Sequence, residues 1–514
     1  MFNDIKNFSY IFFLIIFMSC DGSIFFEFDL RNSPSALTKK ILFGANSLSG
    51  GSESFGTAGH DLCNAITVDT GGNLYCAGFT TDAIEPGALV DSTGDAFVMK
   101  IGPSGDLIWV TQLDSTKPEI NNSEELDVCQ AVKVDNMGNV YCGGYTHSNF
   151  VEPNGSGSSK DAFVAKLSSD GSITWVRHFG QNTASSSIHI NNLSGEDGCN
   201  DIAIDGAGNI YCGGSSDGNF AEPNGGSYDI IVTKLDTDGD ILWATQLGST
   251  SLSSGESSAK DSCESLDIDN SGNIYCGGYT EGNLNEAISG SYDAVVVKFN
   301  NSGALDWITQ LGSATGVSRG DDYSAGENCG ALSVAKNGNS IYCAGETQGA
   351  TSDINAGGYD LFAFNINPST GNVNWVTQLG DTREQSFAGH DYSGNESCTS
   401  KVVGLVTSGI SDVDTDGNFY VSCSTNGSTV ESYTGAGSLF ITKFSPTGNI
   451  DWVTQFGDSY DGTSGSAIPM GLKVYNDKLV VSGLSISQDF LGETSNNTSG
   501  YDPFILIMNT DGSY

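Results

Sequence analysis

The sequence predicts an all-β chain, folded as a closed β-propeller of seven four-stranded antiparallel blades. Three observations predict it. Four phrases recur along almost the whole chain, at cysteine-to-cysteine intervals of about 64 to 70 residues. The stretch Cys263–Gly312 is the clearest unit: CESLDIDNSGNIYCGG, a Gly/Asn/Ser-rich link, YDAVVVKF, and NNSGALDWITQLG. Composition agrees, with 67 Gly and 10 Pro in 514 residues and no long helical pattern. The ends complement each other: the last unit stops at Asn509-Thr510-Asp511-Gly512, the turn before its fourth strand, and an orphan fourth-strand phrase, Lys39–Gly44, precedes the first unit. An N-terminal strand therefore completes the last blade and leaves no open end to the array. A serial architecture also suits a chain too long for one ordinary core.

Each unit parses into strands A to D. In the first, strand A is Ala65–Asp69, apolar at alternate positions. Thr70-Gly71-Gly72 turns the chain into strand B, Asn73–Cys76. A tight hairpin turn needs a positive φ, and Gly72 has equivalents in Gly138, Gly208, Gly272, Gly338 and Gly417, each followed by Asn. Strand C, Ala96–Ile101, is nearly all apolar, as expected of a strand covered on both faces. Strand D, Trp109–Leu113, carries the unit's Trp; all six Trp (109, 175, 243, 307, 375, 452) fall at this place and read as packing between sheets. The blades run approximately 63–113, 129–179, 199–247, 263–311, 329–379, 398–456 and 472–511, the last joined by 38–44. Unit seven departs most, with Asp477-Lys478 in place of Gly-Asn and no Trp.

The phrases D-x-x-G-N-x-Y (Asp69 to Tyr75) and D-A-F-V (Asp95 to Val98) resemble the SBBP repeat, a bacterial seven-bladed β-propeller repeat family, over residues 38–511. That resemblance implies the fold and no common activity.

The first 20 residues read as an address. Lys6 precedes an apolar run, Phe8–Met18, too short to span a bilayer comfortably. It ends in Phe17-Met18-Ser19-Cys20, which resembles a bacterial lipoprotein signal: cleavage before Cys20 and lipidation of its sulfur. Ser19 fits that pattern and Phe17 departs from the usual Leu; an ordinary cleaved signal peptide is the alternative, and both export the chain. Residues 21–37 read as a tether, and 38–514 as one propeller. The expected location is the cell envelope, lipid-anchored in the outer membrane and either surface-exposed or periplasmic.

Twelve cysteines follow in pairs: Cys63/Cys76, Cys129/Cys142, Cys199/Cys212, Cys263/Cys276, Cys329/Cys343 and Cys398/Cys423. In an exported chain such spacing reads as disulfides. Pairing within blades is the simplest scheme, because between-blade pairing strands two thiols beside unit seven. It carries a geometric demand: if Asp69 faces Asn73, Cys76 faces Ile66, and Cys63 lies too far along a straight hairpin. The chain must bend or bulge before strand A. Zinc is the rival, but C-x12-C is not a zinc spacing.

A formal charge of −42 argues against nucleic acid and anionic membrane surfaces as partners, since both require basic patches. Catalytic signals are poor. The five His (60, 147, 178, 189, 390) occupy unrelated positions, His178 replacing the strand-D Gln. Gly214–Gly218 matches G-x-S-x-G without the helix a nucleophile elbow needs. With 62 acidic residues, carboxylate pairs suited to glycoside chemistry are easily found. Asp412-x-Asp414-x-Asp416-Gly417 offers oxygen ligands for Ca²⁺, with Asp267 and Asp269 a weaker version. It resembles the calcium loops of integrin-type propellers, except that Tyr420 stands where the ninth-position Asp belongs. Asp69, Asp135 and Asp205 read as turn caps.

Blade topology places the short A–B and C–D turns on one face, and the long, variable links on the other: Phe79–Gly94 (B–C), and Gly180–Gly198 and Gly380–Ser397 (D–A). Binding residues concentrate on loops held by a rigid scaffold. The sequence therefore reads as an exported, lipid-anchored binding or scaffold module of the envelope, monomeric, not an enzyme and needing no cofactor. It meets the membrane through its N-terminus and a protein or carbohydrate ligand through the long links. The alternatives are an envelope carbohydrate-active enzyme using loop-face carboxylates, and a purely structural envelope protein.

Overall fold

The computed structural model describes residues 51–54, 61–81, 94–113, 126–147, 160–179, 195–249, 259–313, 326–349, 351, 359–379, 396–397, 410–425, 438–456, 467–485 and 502–513. They form seven antiparallel sheets, each led by strand order A-B-C-D, with no helix among them. Blade one is Asp61–Val68, Leu74–Thr80, Asp95–Ile101 and Leu107–Leu113. Blade four is Asp261–Ile268, Ile274–Thr280, Asp293–Phe299 and Leu305–Leu311. In blade six, strand A comes in two pieces, Glu396–Ser397 and Ser411–Val413, both paired with Phe419–Thr425.

The propeller closes as expected, but with a different strand. Gly51–Ser54 pairs with Asp502–Asn509 as the fourth strand of blade seven. The predicted 38–44 segment lies outside the described residues. An edge strand bonds through its backbone, so a Gly/Ser stretch can take this place with none of the Leu-Phe-Gly pattern of the other fourth strands.

Strand A of each blade touches strand A of both neighbours, and the circle closes between blades seven and one. Apolar side chains gather between adjacent sheets. One cluster joins Val98 of blade one to Phe163 of blade two, and another joins Met99 and Ile101 of blade one to Val480 and Ile505 of blade seven. The inner edge of strand A has no strand partner, so its N–H groups need acceptors. Side chains of the preceding blade supply them. Asp201 accepts from Leu266 N–H at 2.9 Å, Ser265 Oγ from Leu332 N–H at 3.0 Å, Asp267 from Val334 N–H and Asp412 from Val474 N–H, both at 2.8 Å.

The Trp residues latch blade to blade. Trp109 Nε1–H donates to Ser169 O (3.1 Å), and Trp175, Trp243, Trp307, Trp375 and Trp452 repeat the bond to Thr237, Asn301, Pro368, Pro446 and Thr510. Each ring lies on the C–D turn glycine of the next blade. Gly171 has φ +89°, and a Cβ there would come 2.8 Å from Trp109. These are packing residues, as the sequence reading holds. In blade seven the A–B turn places Asn476 and Asp477 at positive φ, residue types that tolerate the left-handed region.

Within-blade disulfides join Cys63–Cys76, Cys129–Cys142, Cys199–Cys212, Cys263–Cys276 and Cys329–Cys343. Cys423 is also disulfide-bonded, and its expected partner Cys398 lies outside the described residues. The required bulge is present in blades one to four. Cys63 faces Gly78 and Ala65 faces Ala77, so Asn64 is extra and brings the two cysteine Cα atoms to 5.7 Å.

Candidate ligand-binding face

The two faces of the propeller are built differently. On the short-turn face, Asp69 Oδ1 accepts from the N–H groups of Gly71 and Asn73, and Oδ2 accepts from the Asn73 amide (2.7 Å) and the Tyr75 hydroxyl (3.0 Å). Burial alone would raise its pKa; the bonds from Asn73, Tyr75 and Gly71 outweigh burial and hold the carboxyl below the usual range. Asp135, Asp205, Asp269 and Asp414 repeat the arrangement. The Tyr of the motif also packs on the blade's Trp (Tyr75–Trp109, 6.2 Å) and carries a strand-C Lys over its ring (Lys100, 5.1 Å). The phrase D-x-x-G-N-x-Y is thus a turn lock.

That lock separates the predicted calcium ligands. Asp414 and Asp269 spend their oxygens on the turn. Asp416 is the exposed middle of that turn, its N–H donating to Asp414. Asp412 and Asp267 face the axis, where Asp412 lies 3.9 Å from Lys473 Nζ and both carboxylates cap a neighbouring blade. Among the described residues, no three or more His, Cys, Asp or Glu are grouped to hold a metal ion.

On the opposite face, buried polar pairs anchor the link ends. The strand-D Gln donates to the Asp that begins strand C: Gln112–Asp95 at 2.6 Å, and Gln246–Asp229, Gln310–Asp293 and Gln378–Asp360 at 2.8 Å. In blade three, Gln246 Oε1 also accepts from Ala221 and Glu222 N–H, stapling the B–C link. A second pair joins an acid at or just before the start of strand A to the Thr that ends strand B: Thr146–Asp127, Thr280–Asp261 and Thr347–Glu327. Sequence reading missed both pairs. Their signal was the recurring Asp before strand C and the Gln in W-x-T-Q-L, mute until the register is known.

Blade two breaks the pattern, because His178 stands where Gln does elsewhere. Burial pushes Asp161 up to about 7 and His178 down to about 4. The native state thus resists ionising Asp161. That carboxyl's contribution to stability is full below its unfolded pKa of 3.8 and is lost as pH rises through 7; the His178 contribution is lost as pH falls from 6.5 toward 4. His178→Gln supplies the amide found in the other blades. It is expected to raise stability at pH 8 by about 1–2 kcal/mol, read from the urea midpoint. An unchanged midpoint would refute the staple as a stabilising device.

Near the axis, the residue before strand C stands beside the next blade. The carbonyls of Gly94, Lys160, Tyr228 and Tyr292 accept from the N–H groups of Asp127, Asp197, Asp261 and Glu327 at 2.8–3.0 Å. Around this mouth, Tyr228 donates to Glu196 (2.9 Å), Tyr279 and Tyr292 meet edge to face at 5.8 Å, and the Lys160 ammonium lies 3.8 Å from the centre of the Tyr145 ring. His147 packs against Tyr145 at 5.9 Å, and its Nδ1 lies 3.0 Å from Leu126 O. In the G-x-S-x-G match, Ser216 is buried in strand B and accepts from Gly218 N–H, so it forms no nucleophile elbow. His60, His189, His390, Cys20 and most of the long links lie outside the described residues.

A family model described as the SBBP beta-propeller repeat matches residues 175–221 and 242–285. No curated protein matches the chain in sequence. Similar solved structures include a quinohemoprotein alcohol dehydrogenase from Comamonas testosteroni, at 10% identity over 89% of this chain and 76% of that one, with a TM-score of 0.41. The polysaccharide lyase Uly1 matches at 10% identity over 89% and 91%, with a TM-score of 0.44. The α-L-arabinofuranosidase Arb93A from Fusarium graminearum matches at 10% over 74% and 92%, with a TM-score of 0.39. Likenesses at this level bear on neither chemistry nor ligand.

Proposed function

We propose that this chain is an exported, lipid-anchored propeller that serves the cell envelope as a recognition or scaffold module, taking its ligand on the face of the B–C and D–A links. One contrast carries the reading. The short-turn face spends its Asp, Asn, Tyr and Trp side chains on locking turns and joining blades. The other face staples the roots of its links and varies everything between them. A scaffold of that kind holds recognition loops at fixed spacing. Paired cysteines suit an oxidising compartment, and the Phe8–Cys20 segment supplies both the export signal and the anchor.

Fractionation of cells producing the wild type and Cys20→Ser tests the anchor. The wild type is expected with the membranes and the variant in the soluble exported fraction. Recovery of the wild type from the cytosol with free thiols would refute the proposal. Protease treatment of intact and lysed cells then places the propeller: loss from intact cells sets it outside, and loss only from lysates sets it in the periplasm.

A further inference from the structure

We draw no further inference here: the strongest candidate, the outer edge of Asp502–Asn509 in blade seven, which among the described residues is paired only from Phe504 to Ile507, carries nothing because the segment that could extend or replace Gly51–Ser54 on it, residues 38–44, lies outside the described residues.

Discussion

Gly278→Ala is expected to destabilise the protein by about 4 kcal/mol or more, enough to hinder closure of the Cys263–Cys276 disulfide. A Cβ at Gly278 would lie 1.8 Å from Ser262 O and 2.9 Å from its carbonyl carbon. Those are backbone atoms at the foot of a bulge and cannot rotate away. The same carbonyl approach recurs at Gly78, Gly144, Gly214 and Gly345. The bulge, the glycine and the disulfide form one device: the extra residue draws Cys263 toward Cys276, which drives a carbonyl into the partner strand, where only hydrogen fits. The residue before this glycine has a different duty. A Cβ at Gly277 would meet Cys329 Sγ at 2.6 Å, so that position makes room for the disulfide of the next blade. Gly206→Ala, where an added Cβ has no neighbour within 4 Å, is the control and should stay within about 0.5 kcal/mol of wild type. Urea unfolding with a count of free thiols reads both. A Gly278→Ala midpoint close to that of the control would refute the steric account.

This device shows what a repeat reveals and what it hides. The cysteine spacing made within-blade pairing the simplest scheme, and hairpin geometry demanded a bulge. The turn glycines and the Trp of strand D were equally legible, because each is fixed by its own unit. Contacts between units were not. Nothing in D-x-D-x-D tells whether three carboxylates converge. Alternation set Asp412 and Asp414 on one side of the strand, yet Asp414 folds back onto its own turn while Asp412 caps Val474 across a blade boundary. The closing strand was misplaced because Gly51–Ser54 carries no side-chain pattern to read. The tyrosines of the mouth recur visibly as Tyr-Asp at 228, 292 and 359, but Tyr359 of blade five comes near Tyr292 of blade four only once the blades stand side by side.

Asp201→Ala should show how far the axis holds those blades together. Asp201 lies on the inner edge of blade three and is buried, 4% exposed. Its carboxylate accepts from its own Ile202 N–H at 2.8 Å and from Leu266 N–H of blade four at 2.9 Å, and stands 3.7 Å from Lys133 Nζ of blade two. Burial alone would lower the Lys133 pKa; the carboxylates of Asp201, Asp267 and Asp412 outweigh it and raise it instead. Removing Asp201 therefore strands an edge amide and deprives an inward-facing ammonium of its nearest anion. The expected cost is about 2–4 kcal/mol, below that of a sealed pair because the Lys133 side chain keeps 23% exposure. Asp201→Asn keeps an acceptor for Leu266 and loses only charge, so it should cost less. Asp201→Ala with Lys133→Met should recover part of the loss, since no ammonium is then left without its anion. Urea unfolding of the wild type, Asp201→Ala, Lys133→Met and the double variant measures that coupling, with Asp201→Asn as the fifth protein. If the two losses simply add, the charges contribute nothing beyond their separate contacts, and the blades are held at the axis by the edge hydrogen bonds alone.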